Sequence, residues 1–268
     1  MEDDFDFNQV AANFDQFLPV IAPVTERMVE RMAGLVPGTS VLDVACGTGE
    51  PGLTLLGRNP GVRLLGVDKS ATMVGIATTK AAERGLTDAR FEVMDSRHLE
   101  AEDDSADVAV SRFGLLSFAD PATEARELAR VLRPGGSFTI ATWDAGSKNT
   151  ITYAAAAAVR PWLPPQVGAT MDRQEQFAMP GRREAWLSAA GFATVHSELF
   201  AWRVPFPDES GLWALATGPA MLGAVIGELA PARLAQAHSV FIDLLADYRR
   251  PDGSYIVPYA CRVLRGSR

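Results

Sequence analysis

Cysteine is scarce in this chain of 268 residues: Cys46 and Cys261 stand far apart, in segments of different character. They form neither a paired framework nor a metal-ligand spacing, so disulfide-stapled domains and zinc modules are excluded, no metal is expected, and a reducing cytoplasmic compartment is. Positive charge is also short. Against 33 acidic residues there are 25 Lys and Arg, a formal net charge of -8. No Lys/Arg cluster forms the electrostatic footprint of a nucleic-acid binder. The opening Met1-Glu2-Asp3-Asp4 lacks the basic and apolar regions of a secretory signal. Long apolar runs are missing too. The longest uncharged stretch, Gly211 to Gly227, falls short of the roughly 20 residues a membrane span requires. Gly218-Pro219 interrupts it, which predicts two short buried helices and no membrane span. No internal repeat or low-complexity linker is visible. What the chain has is 47% hydrophobic residues, enough for one large domain with a substantial core, with or without a lid.

The most informative stretch is Val41-Leu42-Asp43-Val44-Ala45-Cys46-Gly47-Thr48-Gly49. A hydrophobic run delivers a carboxylate, Asp43, and a glycine-rich turn follows. A second hydrophobic run, Val62 to Val67, ends in Asp68. Two strands that bring acids to one sheet edge suit a small cofactor carrying positive charge and a ribose, which points to S-adenosylmethionine. A rival reading exists, because Gly47-Thr48-Gly49-Glu50-Pro51-Gly52 is a literal G-x-G-x-x-G with an acid about 20 residues on. Asp43 opposes it. A dinucleotide places its pyrophosphate near this turn, over a helix N-terminus, where a carboxylate would repel it. S-adenosylmethionine carries an ammonium and a sulfonium and no phosphate. Pro51 is tolerated just inside the following helix, where its missing N–H has no partner to lose. A ligand-free tight turn would explain the glycines but not the two acids.

Along the chain, helical and strand patterns alternate. Val10, Phe14, Phe17 and Leu18 share a face at helical spacing. Pro23 predicts a second helix around Val24 to Leu35, and Gly38 leads into a strand over Ser40 to Val44. Ser70 is the expected N-cap of a helix carrying Met73, Val74 and Ile76 and stopping at Gly85. Further strands are predicted at Phe91 to Met94, ending in Asp95, at Asp107 to Ser111, and at Ser137 to Thr142 after the turn Pro134-Gly135-Gly136. Asp120-Pro121 opens a helix that ends near Leu132. This alternation implies a parallel sheet with helices on both faces, whose ligands bind outside the carboxyl ends of the strands. Asp43, Asp68, Asp95 and Ser111-Arg112-Phe113 all fall there. Beyond Trp143 the pattern loosens: a helix over Tyr153 to Arg160, a Pro-rich turn at 161–165, a helix over Gly181 to Ala190, late strands at Thr194 to Val204 and Ser254 to Leu264, and apolar helices between them at 208–250.

These motifs resemble those of class I S-adenosylmethionine-dependent methyltransferases, in the branch that includes ubiquinone/menaquinone-biosynthesis and natural-product enzymes. Residues 41–49 match the first motif of that branch. Gly66-Val67-Asp68-Lys69-Ser70 with Met73 resembles the adenosine-side motif, and Val93-Met94-Asp95-Ser96 the adenine-side one. Arg112-Phe113-Gly114-Leu115 and Leu132-Arg133-Pro134-Gly135-Gly136 complete the set. The likeness is strong over roughly residues 10–145 and holds elsewhere in outline. It implies a Rossmann-like, doubly wound, mostly parallel seven-stranded α/β sheet in one domain. Residues 1–36 would form an N-terminal helical cap, 37–145 the cofactor core, and 146–180 with 206–250 a helical lid. It also implies site roles. Ala45, Gly47 and Gly49 would let backbone approach the methionine part, and Asp43 would order its amino group. Asp68, with Lys69 beside it, would take both ribose hydroxyls, two acceptors for two donors. Met73 would pack on the adenine, or be plain core. Asp95 would accept from the adenine amino group, with Ser96 beside it, or act as a turn cap. Ser111 and Arg112 would offer backbone near the methionine carboxylate or sulfonium, and Phe113 would point toward the methyl. Phe14 departs from the Tyr of many relatives, so a hydroxyl is lost; it is expected as an apolar lid over the cofactor or as core.

Methyl transfer from a sulfonium starts from an activated donor, so proximity and alignment supply much of the rate. The sequence commits to no catalytic base among His98, His196, His238 and Tyr153. Trp143, Tyr153, Trp162, Phe177, Met179, Trp202, Trp213 and Met221 offer an apolar lining for a hydrophobic or aromatic small molecule, with ordinary core expected to claim at least half of them. Three functions stay open: small-molecule methylation on O, N or C; a cyclisation or rearrangement on the same fold and cofactor; and a nicotinamide-dependent oxidoreductase. A homodimer is compatible with each.

Overall fold

Apolar runs bounded by turn residues become strands wherever two layers of helix can cover them. The protein is represented by a computed structural model that describes residues 7–9, 11–118, 120–218 and 221–268, without the side chains of Gln9 and Met221. The expectations placed on Met1 to Asp4, on Val10, on Pro219 and on the Met221 side chain lie outside the described residues. Seven strands form one sheet: β1 (Ser40–Val44), β2 (Arg63–Asp68), β3 (Ala89–Val93), β4 (Ala106–Arg112), β5 (Leu132–Trp143), β6 (Thr194–Phe206) and β7 (Tyr255–Ser267). Their order is β3-β2-β1-β4-β5-β7-β6. The first five run parallel, and β7 lies antiparallel between β5 and β6. The order reverses between β1 and β4, so the connections leaving these two neighbours diverge and open a crevice at their carboxyl ends.

Eleven α-helices are described: α1 (Ala11–Phe14), α2 (Leu18–Arg31), α3 (Gly52–Arg58), α4 (Ala71–Glu83), α5 (Pro121–Val131), α6 (Thr150–Val159), α7 (Pro165–Phe177), α8 (Arg182–Ala189), α9 (Glu209–Thr217), α10 (Met221–Gly227) and α11 (Pro231–Leu244). Side chains alternate across the strands. Val41, Leu64, Val108 and Val110 meet Val24 and Met28 of α2 and Leu55 and Leu56 of α3. Leu42, Val44, Val67 and Ala109 meet Leu128 of α5 and Leu187 of α8. Helix starts follow capping chemistry. Ser70 Oγ accepts from Met73 N at 3.2 Å, and Asp120 Oδ1 from Thr123 N at 3.1 Å.

Several boundaries differ from expectation. α2 is one helix through Pro23, not two. Pro23 lies in its second turn and withdraws a single backbone bond, while burial of Val20, Ile21, Val24, Met28 and Val29 offsets that loss. Pro51 stands at the N-cap of α3, one residue outside the helix. β3 ends at Val93, so Asp95 lies beyond the strand, and the 94–105 connection to β4 carries no helix. α7 falls inside the expected lid segment 146–180 but was not placed there as a helix; its sequence, with Gly168 and a polar majority, lacks a clear apolar stripe. Apart from Gly218, the described residues of 211–227 fall in two short helices, most of α9 and all of α10. No helix among the described residues is long and apolar enough to cross a membrane.

Candidate cofactor site

The site grows from the turn after β1. Ala45 sits in the left-handed region at φ 55, followed by Gly47 at φ 53 and Gly49 at φ 105. The glycines adopt these angles freely, whereas Ala45 does so at a cost of about 1–2 kcal/mol. Its Cβ abuts the turn after β4: a Cβ built on Gly114 would stand 2.2 Å from it. Two loops from neighbouring strands therefore touch through backbone, and strain is stored where they meet. A Cβ on Gly47 would come into ordinary van der Waals contact with the Phe14 ring, at 3.8 Å, so Phe14 stands directly over this turn.

Asp43 is fully buried. Its Oδ2 accepts from Gly52 N at 3.0 Å, and its Oδ1 has no partner. Burial outweighs that bond and raises its pKa to about 7. Asp68 accepts from Gly47 N through Oδ2 and from Ser70 N through Oδ1, both at 2.9 Å. Each oxygen keeps a further lone pair, and burial raises its pKa as well. Arg112 is buried; its Nη1 donates to Thr25 Oγ1 and its Nε has no partner. Burial lowers its pKa to about 10, which leaves it charged at neutral pH.

The adenine-side residues are less free than the sequence implied. Arg97 grips the Asp95 carboxylate, with Nη2 to Oδ2 at 2.6 Å and Nε to Oδ1 at 2.9 Å, and Arg97 N also donates to Oδ1. Asp95 thus shapes its own turn, which was the alternative expectation for it. Ser96 Oγ donates to Glu124 Oε1 at 2.7 Å, and Leu116 N donates to Glu124 Oε2 at 2.7 Å. Glu124 of α5, which sequence reasoning missed, ties the turn after β3 to the turn after β4. Its burial pushes its pKa up to about 7. Met73 is buried beneath the Ser70 cap. Ser111 Oγ accepts from Leu115 N at 3.0 Å and so holds its own loop. Lys69 lies over the Phe7 ring, with Nζ 5.7 Å from the centroid.

An N-terminal strap crosses this edge, also unforeseen. Asn8 Oδ1 accepts from Ser70 Oγ at 2.7 Å and from Thr72 N at 3.2 Å. Asp15 accepts from Thr48 Oγ1 and from Lys80 Nζ, both at 2.7 Å. The available sequence signal was a pair of short polar residues set into an otherwise apolar helical face.

Beside the turn stands an aromatic wall. Phe113, at φ 66, stacks on Trp143 with centroids 3.8 Å apart and planes 7° apart. Trp143 also neighbours Phe17 at 6.0 Å, Trp202 at 6.3 Å and Tyr259 at 6.3 Å. The Tyr259 hydroxyl is buried without a partner, and burial raises its pKa. Of the expected lining, Trp143 and Trp202 join this wall. Phe177 packs on Trp186, Trp213 packs on His238 and Phe241, and Trp162 packs on the core. Tyr153 and Met179 are more than half exposed. His98 and His196 are also exposed. A hollow of about 380 Å³, lined by Leu42, Leu65, Ala106 and Val131, opens at the amino ends of β1 to β3, away from all of these residues. The described residues contain no group of three or more His, Cys, Asp or Glu placed to hold a metal.

Asp43 and Glu124 make stability depend on pH. Unfolded, such acids release their protons near pH 4; folded, these two do so near pH 7. Between those values the folded state holds the extra protons, so stability falls as pH rises. Acids with lowered pKa, such as Glu127 and Glu198, titrate below this window. The melting midpoint of the ligand-free protein is expected to be higher at pH 5.5 than at pH 8 by roughly 5 °C. Glu124→Gln should flatten that slope in a fluorescence melt.

A sheet of this order, with an acid at the end of each of its first two strands and a glycine turn between them, defines an α/β protein built to hold a nucleoside cofactor. Comparison with known proteins narrows the class. The sequence profile of a methyltransferase domain matches residues 41–136. The demethylmenaquinone methyltransferase of Thermus thermophilus is 32% identical over 174 residues, covering 61% of this chain and 78% of that relative. A ubiquinone/menaquinone biosynthesis C-methyltransferase of Bdellovibrio bacteriovorus is 35% identical over 138 residues, which cover 50% of this chain. That match spans 58% of the relative, a little over half its length. The crystal structure of the YcgJ protein from Bacillus subtilis superposes with a TM-score of 0.62 at 19% identity, over 92% of this chain and 98% of that one. The chain belongs to the class I S-adenosylmethionine-dependent methyltransferases, in the branch of the ubiquinone and menaquinone methyltransferases. S-adenosylmethionine is the cofactor of that family.

Proposed function

We propose that this protein transfers a methyl group from S-adenosylmethionine to oxygen, nitrogen or carbon of a hydrophobic or aromatic small molecule of quinone-type or natural-product metabolism. The observation that carries the acceptor class is the stack of Phe113 on Trp143, a flat apolar wall next to the turn at Gly47. The quinone-directed names of two relatives support it. The residues present fit the cofactor. Asp68 keeps a lone pair on each oxygen for a ribose diol, and the Asp43 Oδ1 is a buried acceptor that suits an ammonium. Ala45 and Gly49 shape that turn, and Met73 and Ser96 bound the adenine side. Asp95 reaches the adenine amino group only with lone pairs that Arg97 leaves. Phe14 covers the turn as part of the expected N-terminal cap, of which residues 7–9 and 11–36 are described. The helices at 146–180 and 206–250 cover the acceptor, all within one domain.

The bound cofactor supplies a methyl group already activated on sulfonium. The protein's part is alignment: the Phe113–Trp143 wall orients a planar acceptor, and the cap excludes water. His98, His196 and Tyr153 are exposed and His238 packs on Trp213, so the reading assigns none of the four as a catalytic base. The reading assigns a small-molecule substrate rather than nucleic acid, a cytoplasmic location, and either a monomer or a homodimer. The test is incubation with methyl-deuterated S-adenosylmethionine and a panel of demethylated quinols and phenolic polyketides. A labelled methyl on a product is the expected result. Substrate rearranged with no label would give the protein a cyclising role instead, and NADH-dependent turnover would move it to the oxidoreductases.

A further inference from the structure

Asp43 and Arg112 stand on adjacent strands and one face of the sheet. Asp43 pairs with Val110 across β1 and β4, so Arg112 lies two residues, about 7 Å, nearer the carboxyl edge. Strand alternation puts both on the α3 side. Of the other charges that act on them, Asp68 accepts from Gly47 N and Ser70 N. Glu50 pairs with Arg84 at 2.7 Å, and Asp15 pairs with Lys80 at 2.7 Å. Among the described residues, Asp43 has no cation within ion-pair distance and Arg112 has no carboxylate. They feel each other's field but do not meet. Each keeps an unpartnered buried atom, Oδ1 on Asp43 and Nε on Arg112, and Arg112 is only 8% exposed.

A buried charge without a partner costs several kcal/mol, and a polar atom left unpaired adds to that. An anion and a cation held apart in this way, beside the glycine turn, complement a ligand that carries both signs at short separation. An α-amino acid zwitterion is such a ligand. We propose that the Arg112 guanidinium binds the carboxylate of the cofactor's amino-acid part, opposite the Asp43 Oδ1 that takes its ammonium. This rests on the reading of the site given above and adds to it. The resemblance assigned Arg112 a backbone contribution, whereas here its side chain is the anion receptor. The planar guanidinium suits a carboxylate better than a lysine ammonium would, and Thr25 Oγ1 fixes its orientation from α2.

The test compares two probes by calorimetry. S-adenosylhomocysteine carries the amino-acid part; 5′-methylthioadenosine lacks it. Arg112→Met is expected to weaken S-adenosylhomocysteine about 30- to 100-fold, the range for one charge-assisted contact. It should leave methylthioadenosine within about twofold, and Arg112→Lys should recover part of the loss. Equal loss for both ligands would mark Arg112 as purely structural and overturn the proposal. Loss for neither would also overturn it and place the carboxylate contact elsewhere, leaving Arg112 for an acid group on the acceptor. Should Arg112→Met fail to fold, decarboxylated S-adenosylhomocysteine on the wild type gives the same answer: the proposal requires weaker binding than the parent, with a smaller difference in Arg112→Lys. A wild type that binds neither adenosyl ligand would instead overturn the site reading itself.

Discussion

Replacing Asp68 with alanine is expected to weaken S-adenosylhomocysteine binding at least about 100-fold. A carboxylate that accepts from two ribose hydroxyls makes two charge-assisted hydrogen bonds, each contributing about 1.5–3 kcal/mol, and about 3 kcal/mol is already more than a hundredfold. The same substitution strips Gly47 N and Ser70 N of their acceptor. These donors set the shape of the glycine turn and the start of α4, so the ligand-free protein should also melt at lower temperature. Asp68→Asn separates the two effects. It keeps an acceptor for one backbone donor and loses the charge, so it should restore much of the melting temperature and little of the affinity. Calorimetry on the three proteins decides; an alanine variant that binds within threefold of wild type would remove Asp68 from the site.

Gly114→Ala is the second large effect. The added Cβ would fall 2.2 Å from the Ala45 Cβ, closer than any two carbons can pack. One of the two turns must move, and overpacking of this kind costs about 1–3 kcal/mol. The expected result is a melting temperature lower by roughly 3–10 °C, together with at least a tenfold loss of S-adenosylhomocysteine affinity, because both displaced turns border the proposed cofactor site. Gly75→Ala serves as the control. Gly75 is exposed in α4, and a Cβ there meets nothing within 4 Å, so alanine should stabilise the helix by about 0.5–1 kcal/mol. A Gly114→Ala protein that melts and binds like wild type would mean that the two turns are not in forced contact.

The strand ends were legible because one-dimensional pattern reports them. Apolar runs closed by Asp43 and Asp68, a serine before Met73 and a glycine at position 85 are local signals with local causes. Pro23 misled because the penalty of a proline is local, whereas the burial that offsets it comes from a sheet many residues away. Asp95 was placed at the right edge, but its clamp by Arg97 depends on a rotamer, which spacing does not encode. Glu124 joins residues 28 and 8 positions from it. Asp15 reaches Thr48 and Lys80 across 33 and 65 positions. Contacts of that separation leave no periodicity to read. The aromatic wall was half visible: tryptophans in the right segments were countable, but which of them stack on Phe113 is set by the β5–β7–β6 register.

The strap at the amino end has a consequence for traffic through the site. Asn8 and Asp15 fasten it to Ser70, Thr72, Thr48 and Lys80, and Phe14 roofs the glycine turn. Each fastening contributes on the order of 1 kcal/mol, so the strap can lift while the sheet stays intact, as lightly fastened surface segments do in local opening. Whatever lies above Gly47 then arrives and departs on the schedule of that short segment and not of the fold as a whole. The fastenings at Asn8 and Asp15 are polar, so a charge reversal at Asp15 is expected to loosen the cover over the glycine turn and speed ligand exchange in stopped-flow binding.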